Sequence, residues 1–67
     1  MKVIITPHHN LYKNYLLEND LTKRNTRFIN NANKLRGLEI KKEDVVKLYE
    51  WYTIDGIEEQ LEVRLKD

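Results

Sequence analysis

The feature that most constrains this chain is a short apolar run near the N-terminus that ends at a proline. Residues 1–6 read MKVIIT, and Pro7 follows them directly. Most of these residues are β-branched, and β-branched side chains pack well on a pleated surface. The run therefore predicts a short buried strand at the start of the fold.

Pro7 also predicts that a helix follows this strand. Proline is favoured in a first helical turn, where its missing N–H has no helical partner, and the Thr6 hydroxyl is suited to cap such a helix. The expected helix covers roughly residues 9–20. Its apolar stripe comprises Tyr12, Tyr15 and Leu16, with Leu11 and Leu17 extending it.

The segment around Phe28 fits either a helix or a strand. A helix would place Phe28, Ala32 and Leu35 on one face. A strand over residues 27–29 would bury Phe28 and would be followed by a single helical turn. In both cases Gly37 ends the helical segment. We favour the strand.

Residues 45–49, VVKLY, are the strongest strand candidate. The apolar positions of this segment would also share one side of a helix that begins at the preceding acidic pair. We favour the strand, whose alternation would place Tyr49 and Trp51 on the face opposite Leu48.

Residues 57–65 have a pattern that fits two structures. The Asp-Gly turn sequence just before them favours a β-hairpin, whose second strand would bury Val63 and Leu65. A helix would instead present Ile57, Leu61 and Leu65 as one apolar stripe. We favour the helix.

These choices give the order strand, helix, strand, helical turn, strand, helix, and such alternation is typical of α/β proteins. We predict the α/β class, with a small three-stranded, mostly parallel sheet and two main helices. A C-terminal β-hairpin would make the fold α+β instead. The chain of 67 residues leaves room for one small domain, residues 1–67, with a marginal core.

The absence of cysteine excludes several kinds of site at once. Disulfides, thiolate zinc sites and thiol nucleophiles all need cysteine, and its absence fits a reducing compartment. The apolar runs are far shorter than the roughly 18 residues of a membrane span. No apolar segment of signal-peptide type follows Met1. We therefore expect a cytoplasmic protein without a membrane partner.

The charges divide the chain into a basic middle and an acidic end. Residues 21–42 carry seven basic side chains against one acidic one, whereas residues 43–67 carry eight acidic against three basic. A basic segment supplies donors for phosphates and base edges, and it makes nucleic-acid binding the alternative function. The residues concerned are Lys23, Arg24, Arg27, Lys34, Arg36, Lys41 and Lys42. No recognised nucleic-acid-binding motif accompanies them.

Residues 34–52, KLRGLEIKKEDVVKLYEWY, resemble a pattern of phage-type P-loop ATPases such as terminases. In that family a Leu-Arg-Gly-Leu turn precedes an acidic residue, here Glu39, and an apolar strand carrying an acid that helps to hold magnesium. The resemblance implies a related architecture and a small phage or prophage protein.

The chain departs from that family at the position of the phosphate-binding loop. The sequence after the first strand, TPHHNLYKN, contains no G-x-x-x-x-G-K-[ST] motif, and a lone Glu50 stands where paired acids would be expected. A triphosphate therefore has no cradle of backbone N–H groups, which argues against nucleotide hydrolysis.

His8, His9 and Glu50 are the residues to consider for a metal or acid–base site. The histidines follow the first predicted strand, and ligands of parallel sheets usually bind at the carboxyl ends of strands. A metal needs three or four converging ligands, and the chain has neither a third histidine nor a cysteine. No nucleophile motif accompanies the histidines. We predict no catalytic residues, no metal and no cofactor.

The aromatic residues indicate the leading function. The chain has more of them than so small a core can bury, and Tyr and Trp are favoured at interaction hot spots. The predicted partner-binding residues are Tyr49, Trp51 and Tyr52; alternatively, Trp51 simply covers the edge of the sheet. We predict a small non-enzymatic interaction protein of phage or mobile-element type that binds a host protein or a second copy of itself.

Overall fold

The computed structural model describes residues 1–38 and 40–66. Its strands are β1 (Lys2–Ile5), β2 (Thr26–Ile29), β3 (Ile40–Lys41), β4 (Val45–Lys47) and β5 (Leu65–Lys66), and its helices are α1 (His9–Glu18) and α2 (Ile57–Arg64). Short 3-10 helices occupy Ala32–Leu35, Lys42–Asp44 and Trp51–Thr53. Within the described residues no helix has the length and apolar character that crossing a membrane requires.

Three strands form a parallel sheet in the order β2-β1-β4. Ile4 in the central strand lies opposite Phe28 and Val46, and Ile5 lies opposite Ile29 and Lys47. A second, two-stranded sheet pairs β3 with β5, also in parallel. The predicted α/β class and the three-stranded parallel sheet are confirmed. The second sheet was not predicted, because strands of two residues leave no periodic signal in the sequence.

The two faces of the three-stranded sheet are packed differently, because successive side chains of β1 point to opposite sides. On the face that we call the aliphatic face, Val3 and Ile5 pack in a cluster of buried side chains. The other buried members are Ile29, Leu35, Ile40, Ile54, Ile57 and Leu61. On the opposite face, which we call the aromatic face, Ile4 packs with buried Tyr12 and Leu16.

Helix α1 begins at His9, as predicted, but its N-cap is not the predicted residue. Its N-cap is His8, which makes no side-chain capping hydrogen bond. The prediction that Thr6 caps the helix is therefore wrong; the Thr6 hydroxyl accepts a hydrogen bond from the backbone N–H of His8, at 3.2 Å. The predicted stripe is confirmed for Tyr12 and Leu16, which are buried, whereas Leu17 is 81% exposed and does not belong to it.

The strand predictions around residues 27–29 and 45–49 are confirmed, although β4 ends at Lys47. A 3-10 helix follows β2, as predicted, and Gly37 beyond it adopts a left-handed conformation with φ of 77°. Phe28 was expected to be buried but is only half-buried, because it lies on the aromatic face of an edge strand.

The helix prediction for the C-terminal segment is confirmed, and the hairpin alternative is wrong. Ile57 and Leu61 are 1% and 3% exposed, respectively, and lie four residues apart on the buried side of α2. Val63, which a hairpin would bury, is 73% exposed. The segment thus forms a helix, which buries Ile57 and Leu61 against the aliphatic face, and not the hairpin that the Asp55-Gly56 turn sequence favours.

Candidate functional site

The carboxyl ends of β1 and β4 form the topological switch point of the sheet, where connections from the central strand lead to opposite sides. From β1 the chain passes through α1 on the aromatic face to reach β2 on one side. It then returns over the aliphatic face to β4 on the other side of β1. In open parallel sheets, ligands bind in the crevice at such a switch point, so the segments after β1 and β4 are the first place to look for a site.

A buried threonine ties these two segments together. Thr6 is 0% exposed, and its hydroxyl donates a hydrogen bond to the backbone carbonyl of Tyr49 at 3.1 Å. The same oxygen accepts the hydrogen bond from the N–H of His8. The N–H of Leu48 donates to the carbonyl of Ile5 at 3.0 Å. The backbone of Tyr49 is therefore held by the segment that follows β1 as well as by its connection to β4.

His8 and Glu50 complete the junction with a polar contact. His8 Nε2 lies 2.9 Å from Glu50 Oε1, and the side chains are 46% and 36% exposed, respectively. Glu50 has a φ of 62°, a left-handed conformation that costs a non-glycine residue roughly 1–2 kcal/mol. Its carbonyl accepts a hydrogen bond from the Thr53 hydroxyl at 2.7 Å. The structure thus pairs His8, and not His9, with the carboxylate.

Tyr49 is the most exposed of the three predicted partner-binding residues. It is 71% exposed, and its ring stacks on that of His8 with 6.3 Å between centroids and 20° between planes. Tyr52 is 61% exposed. Trp51 is half-buried against the aliphatic cluster, and Lys47 Nζ lies 4.4 Å from the centre of its ring.

The placement expected from alternation is confirmed for Trp51, which packs on the face opposite Leu48, and is wrong for Tyr49, which lines a groove together with Leu48. The expected alternation assumed that the strand continues through both residues, but β4 ends at Lys47 and Glu50 adopts the left-handed conformation. The change of backbone direction turns Trp51 toward the aliphatic cluster while Tyr49 stays in solvent. The expectation that some aromatic side chains remain on the surface is confirmed.

A groove of about 220 Å³ lies beside Tyr49, between α1 and the segment that follows β4. We call it the Tyr49 groove. Its lining residues are Leu11, Asn14, Tyr15, Glu18, Leu48 and Tyr49. The sequence did not reveal this groove, because it depends on the packing of α1 beside β4. The only sequence signal was the presence of Leu11 and Tyr15 at the margin of the apolar stripe.

His9 belongs to a separate aromatic cluster on the other side of α1. Its ring meets the edge of Phe28 at 5.4 Å between centroids, and Phe28 stacks on Tyr12 at 4.7 Å. Lys34 Nζ lies 5.4 Å from the centre of the Phe28 ring. The two adjacent histidines therefore contact different groups: His8 contacts Glu50 and Tyr49, whereas His9 contacts Phe28.

The basic residues of the central segment are distributed over both faces of the sheet. Arg27 and Lys41 line a groove of about 300 Å³, the floor of which includes Val3 and Ile40. Lys34 lies on the aromatic face. Lys23 and Arg24 stand in the turn before β2, and Arg36 and Lys42 are exposed in the second crossover. Among these residues the structure brings Arg27 and Lys41 to one groove.

Within residues 1–38 and 40–66 there is no group of three or more His, Cys, Asp or Glu side chains placed to hold a metal ion. Glu39, the acidic residue of the ATPase-like pattern, lies outside the described residues. No protein-family model matches the chain, and no curated protein or solved structure is significantly similar to it.

Proposed function

We propose that this protein is a small non-enzymatic interaction protein that binds a partner through the surface around Tyr49, with Tyr52 and Trp51 beside it. One observation carries the proposal: Tyr49 is 71% exposed, yet its backbone carbonyl is held by Thr6 and its ring is stacked on His8. A large aromatic side chain is thus presented to solvent from a backbone that is held in a fixed position.

A fixed position matters because binding costs conformational entropy. Immobilising a flexible side chain at an interface costs roughly 0.5–1.5 kcal/mol, and this cost falls when the side chain is already ordered in the free protein. The left-handed Glu50 and the buried Thr6 hydroxyl both contribute to that order. Backbone strain of this kind clusters at functional sites, although Asp20 also adopts a left-handed conformation in the turn after α1.

The finer parts of the proposal rest on the sequence. The partner is a host protein or a second copy of the chain, and the protein is of phage or mobile-element type, which the resemblance of residues 34–52 supports. A cytoplasmic location is supported by the absence of cysteine. The missing phosphate-binding loop argues against nucleotide hydrolysis, which agrees with the proposed non-enzymatic role.

The test compares the wild-type chain with Tyr49→Ala and with Leu17→Ala, a matched control that removes another exposed apolar side chain. Self-association is measured by sedimentation equilibrium, and capture of host proteins is measured by affinity purification with quantitative mass spectrometry. We expect Tyr49→Ala to weaken the interaction by about 30-fold, the effect of an interfacial hot spot, while Leu17→Ala leaves it unchanged. Equal binding by all three proteins would refute the proposal.

Nucleic-acid binding is the second candidate, and one observation favours it. Arg27 and Lys41 line the same groove, and neither makes an ion pair with the described part of the chain. The expected result is retardation of a DNA or RNA probe that weakens steeply as salt rises, and that Arg27→Ala and Lys41→Ala both reduce. Absence of retardation in dilute buffer would eliminate this candidate.

A further inference from the structure

The Tyr49 groove has a lining that the rest of the chain does not cover. Four of its residues, at positions 11, 14, 15 and 18, come from one face of α1. Their spacing is that of a helix face that usually packs against something. The neighbouring face of the helix, with Tyr12 and Leu16, is buried against the sheet. The groove is therefore an open continuation of the aromatic face.

The floor of the groove is apolar and already partly shielded from water. Leu11, Tyr15 and Leu48 are half-buried, and Tyr49 forms an exposed wall above them. An apolar side chain that fills a concave apolar site stabilises the complex, because apolar surface of both partners is removed from water. This half of the groove fits an aliphatic or aromatic side chain.

The other end of the groove is negative. Glu18 lies in the last turn of α1, where the helix dipole favours positive charge, and this turn contains no basic residue. The Glu18 carboxylate has no hydrogen bond or ion pair with the described part of the chain, and no Lys, Arg or His lines the groove. A cation from outside would therefore be stabilised beside Glu18.

The two ends are separated by a distance that a short peptide spans. Tyr49 stacks on His8, which precedes α1, whereas Glu18 lies at the end of the helix. From Leu11 to Glu18 the helix rises about 10 Å. The same distance corresponds to about three residues of an extended chain or two turns of a helix.

We propose that the Tyr49 groove binds a segment of a partner protein with two recognition elements. An apolar side chain is seated against Leu48 and Tyr49, and a Lys or Arg about 10 Å away lies beside Glu18. This inference rests on the proposed function, to which it adds the chemistry of the partner. The charge of the groove disfavours the acidic C-terminal half of a second copy of this chain, and we take a basic segment of a separate protein as the occupant.

The experiment selects peptides from a yeast-displayed random library on four forms of the full chain. These are the wild type, Glu18→Arg, Tyr49→Ala, and the control Glu62→Arg, which makes the same charge change on exposed α2. Circular dichroism confirms that each variant is folded. Affinities of the enriched peptides are then measured by fluorescence anisotropy at physiological salt.

We expect the wild type to enrich peptides in which an apolar residue and a Lys or Arg recur at a constant spacing. Glu18→Arg should weaken these peptides by about fivefold and should itself select acidic residues at the same position. Glu62→Arg should leave affinity within about twofold. Tyr49→Ala should lose about 30-fold in affinity.

Different failures contradict different claims. If Tyr49→Ala reduces binding but Glu18→Arg selects the same basic peptides as the wild type, the inference is wrong and the proposed function stands. If Tyr49→Ala enriches the same peptides with the same affinity as the wild type, both the inference and the proposed function are wrong. If the wild type enriches no peptide, the inference is wrong, and the sedimentation and affinity-purification test decides the proposed function separately. If the wild type forms a dimer that Tyr49→Ala dissociates, the second copy is the occupant and the inference is again wrong.

Discussion

The aliphatic and aromatic faces of the sheet flank the same central strand but are closed to different degrees. The aliphatic face is covered by α2, two 3-10 helices and the second sheet, and its cluster contains eight buried side chains. The aromatic face is covered by α1 and has three buried side chains. Around them Tyr15, Leu21, Phe28, Val46 and Leu48 are only partly buried.

This difference separates the face that stabilises the fold from the face that remains available for binding. A small chain has too little material to bury both sides of a sheet completely. Here the C-terminal half of the chain closes one side, and the other keeps half-buried aromatic and apolar side chains at its margin. The Tyr49 groove lies at that margin.

The largest expected effect is on stability, and it comes from substitutions that test whether the aliphatic face is packed more tightly than the aromatic face. Ile4 and Ile5 are neighbours in β1, both 0% exposed, and point to opposite faces. Ile5→Ala should lower the free energy of unfolding by about 4 kcal/mol, and Ile4→Ala by about 2 kcal/mol, because partly exposed neighbours relax more easily around a cavity. Urea denaturation followed by circular dichroism measures both.

If the alanine variants do not fold, Ile5→Val and Ile4→Val provide the same comparison with a smaller loss of stability. We expect losses of about 1.5 and 0.5 kcal/mol, respectively. Equal losses at the two positions, in either pair of variants, would show that the faces are equally well packed.

The next effect concerns the edge where the two faces meet. Thr6→Val preserves the shape of the side chain but removes the hydroxyl that bonds Tyr49 and His8. Because two backbone groups lose a partner, the free energy of unfolding should fall by about 2 kcal/mol. Thr53→Val, at an exposed position, is the control and should cost less than about 1 kcal/mol.

Thr6→Val should also increase the mobility of Tyr49. Amide hydrogen exchange of residues 48–50 should become faster, while exchange in β2 stays unchanged. Unchanged exchange near Tyr49 would show that the hydroxyl does not hold this segment in place.

A smaller effect tests the polar contact within the aromatic face. The Thr26 hydroxyl donates to the carbonyl of Thr22, so the Tyr12 hydroxyl must donate to Thr26, at 2.9 Å. Tyr12→Phe should therefore cost about 1 kcal/mol. Tyr15→Phe, which removes a hydroxyl without a hydrogen bond to the described part of the chain, should cost almost nothing. Equal costs, measured by urea denaturation, would contradict this assignment.

The smallest expected effect concerns the contact between His8 and Glu50. Glu50→Gln removes the negative charge, while glutamine has the same side-chain length and a similar preference for the left-handed backbone. Because exposed ion pairs contribute little, the free energy of unfolding should change by less than about 0.5 kcal/mol. A loss above about 1 kcal/mol in the same denaturation assay would show that this contact is a structural element and not part of an open surface.

Much of the fold could be predicted because its signals are local. The β-branched run before Pro7, the spacing of Tyr12 and Leu16, and the spacing of Ile57 and Leu61 each correspond to an observed element. The predictions that were wrong concern contacts between residues far apart in the sequence. Thr6 appeared to be a helix cap, but its hydroxyl bonds a residue that is 43 positions away in the chain.

The candidate site was predicted only in part for the same reason. The aromatic cluster was recognisable from composition, but its division into exposed Tyr49 and half-buried Trp51 depends on the left-handed Glu50. No local pattern in the YEWY segment predicts that left-handed conformation, because glutamate rarely adopts it.

The sequence by itself indicated the three strands of the main sheet, the two helices and the α/β class, but not the second sheet, because apolar periodicity and turn residues act over a few neighbouring positions. Only the tertiary structure decided which face of the sheet is closed, which histidine meets Glu50, and where an open groove remains. These properties follow from the order β2-β1-β4, which places segments far apart in the chain at one edge of the sheet.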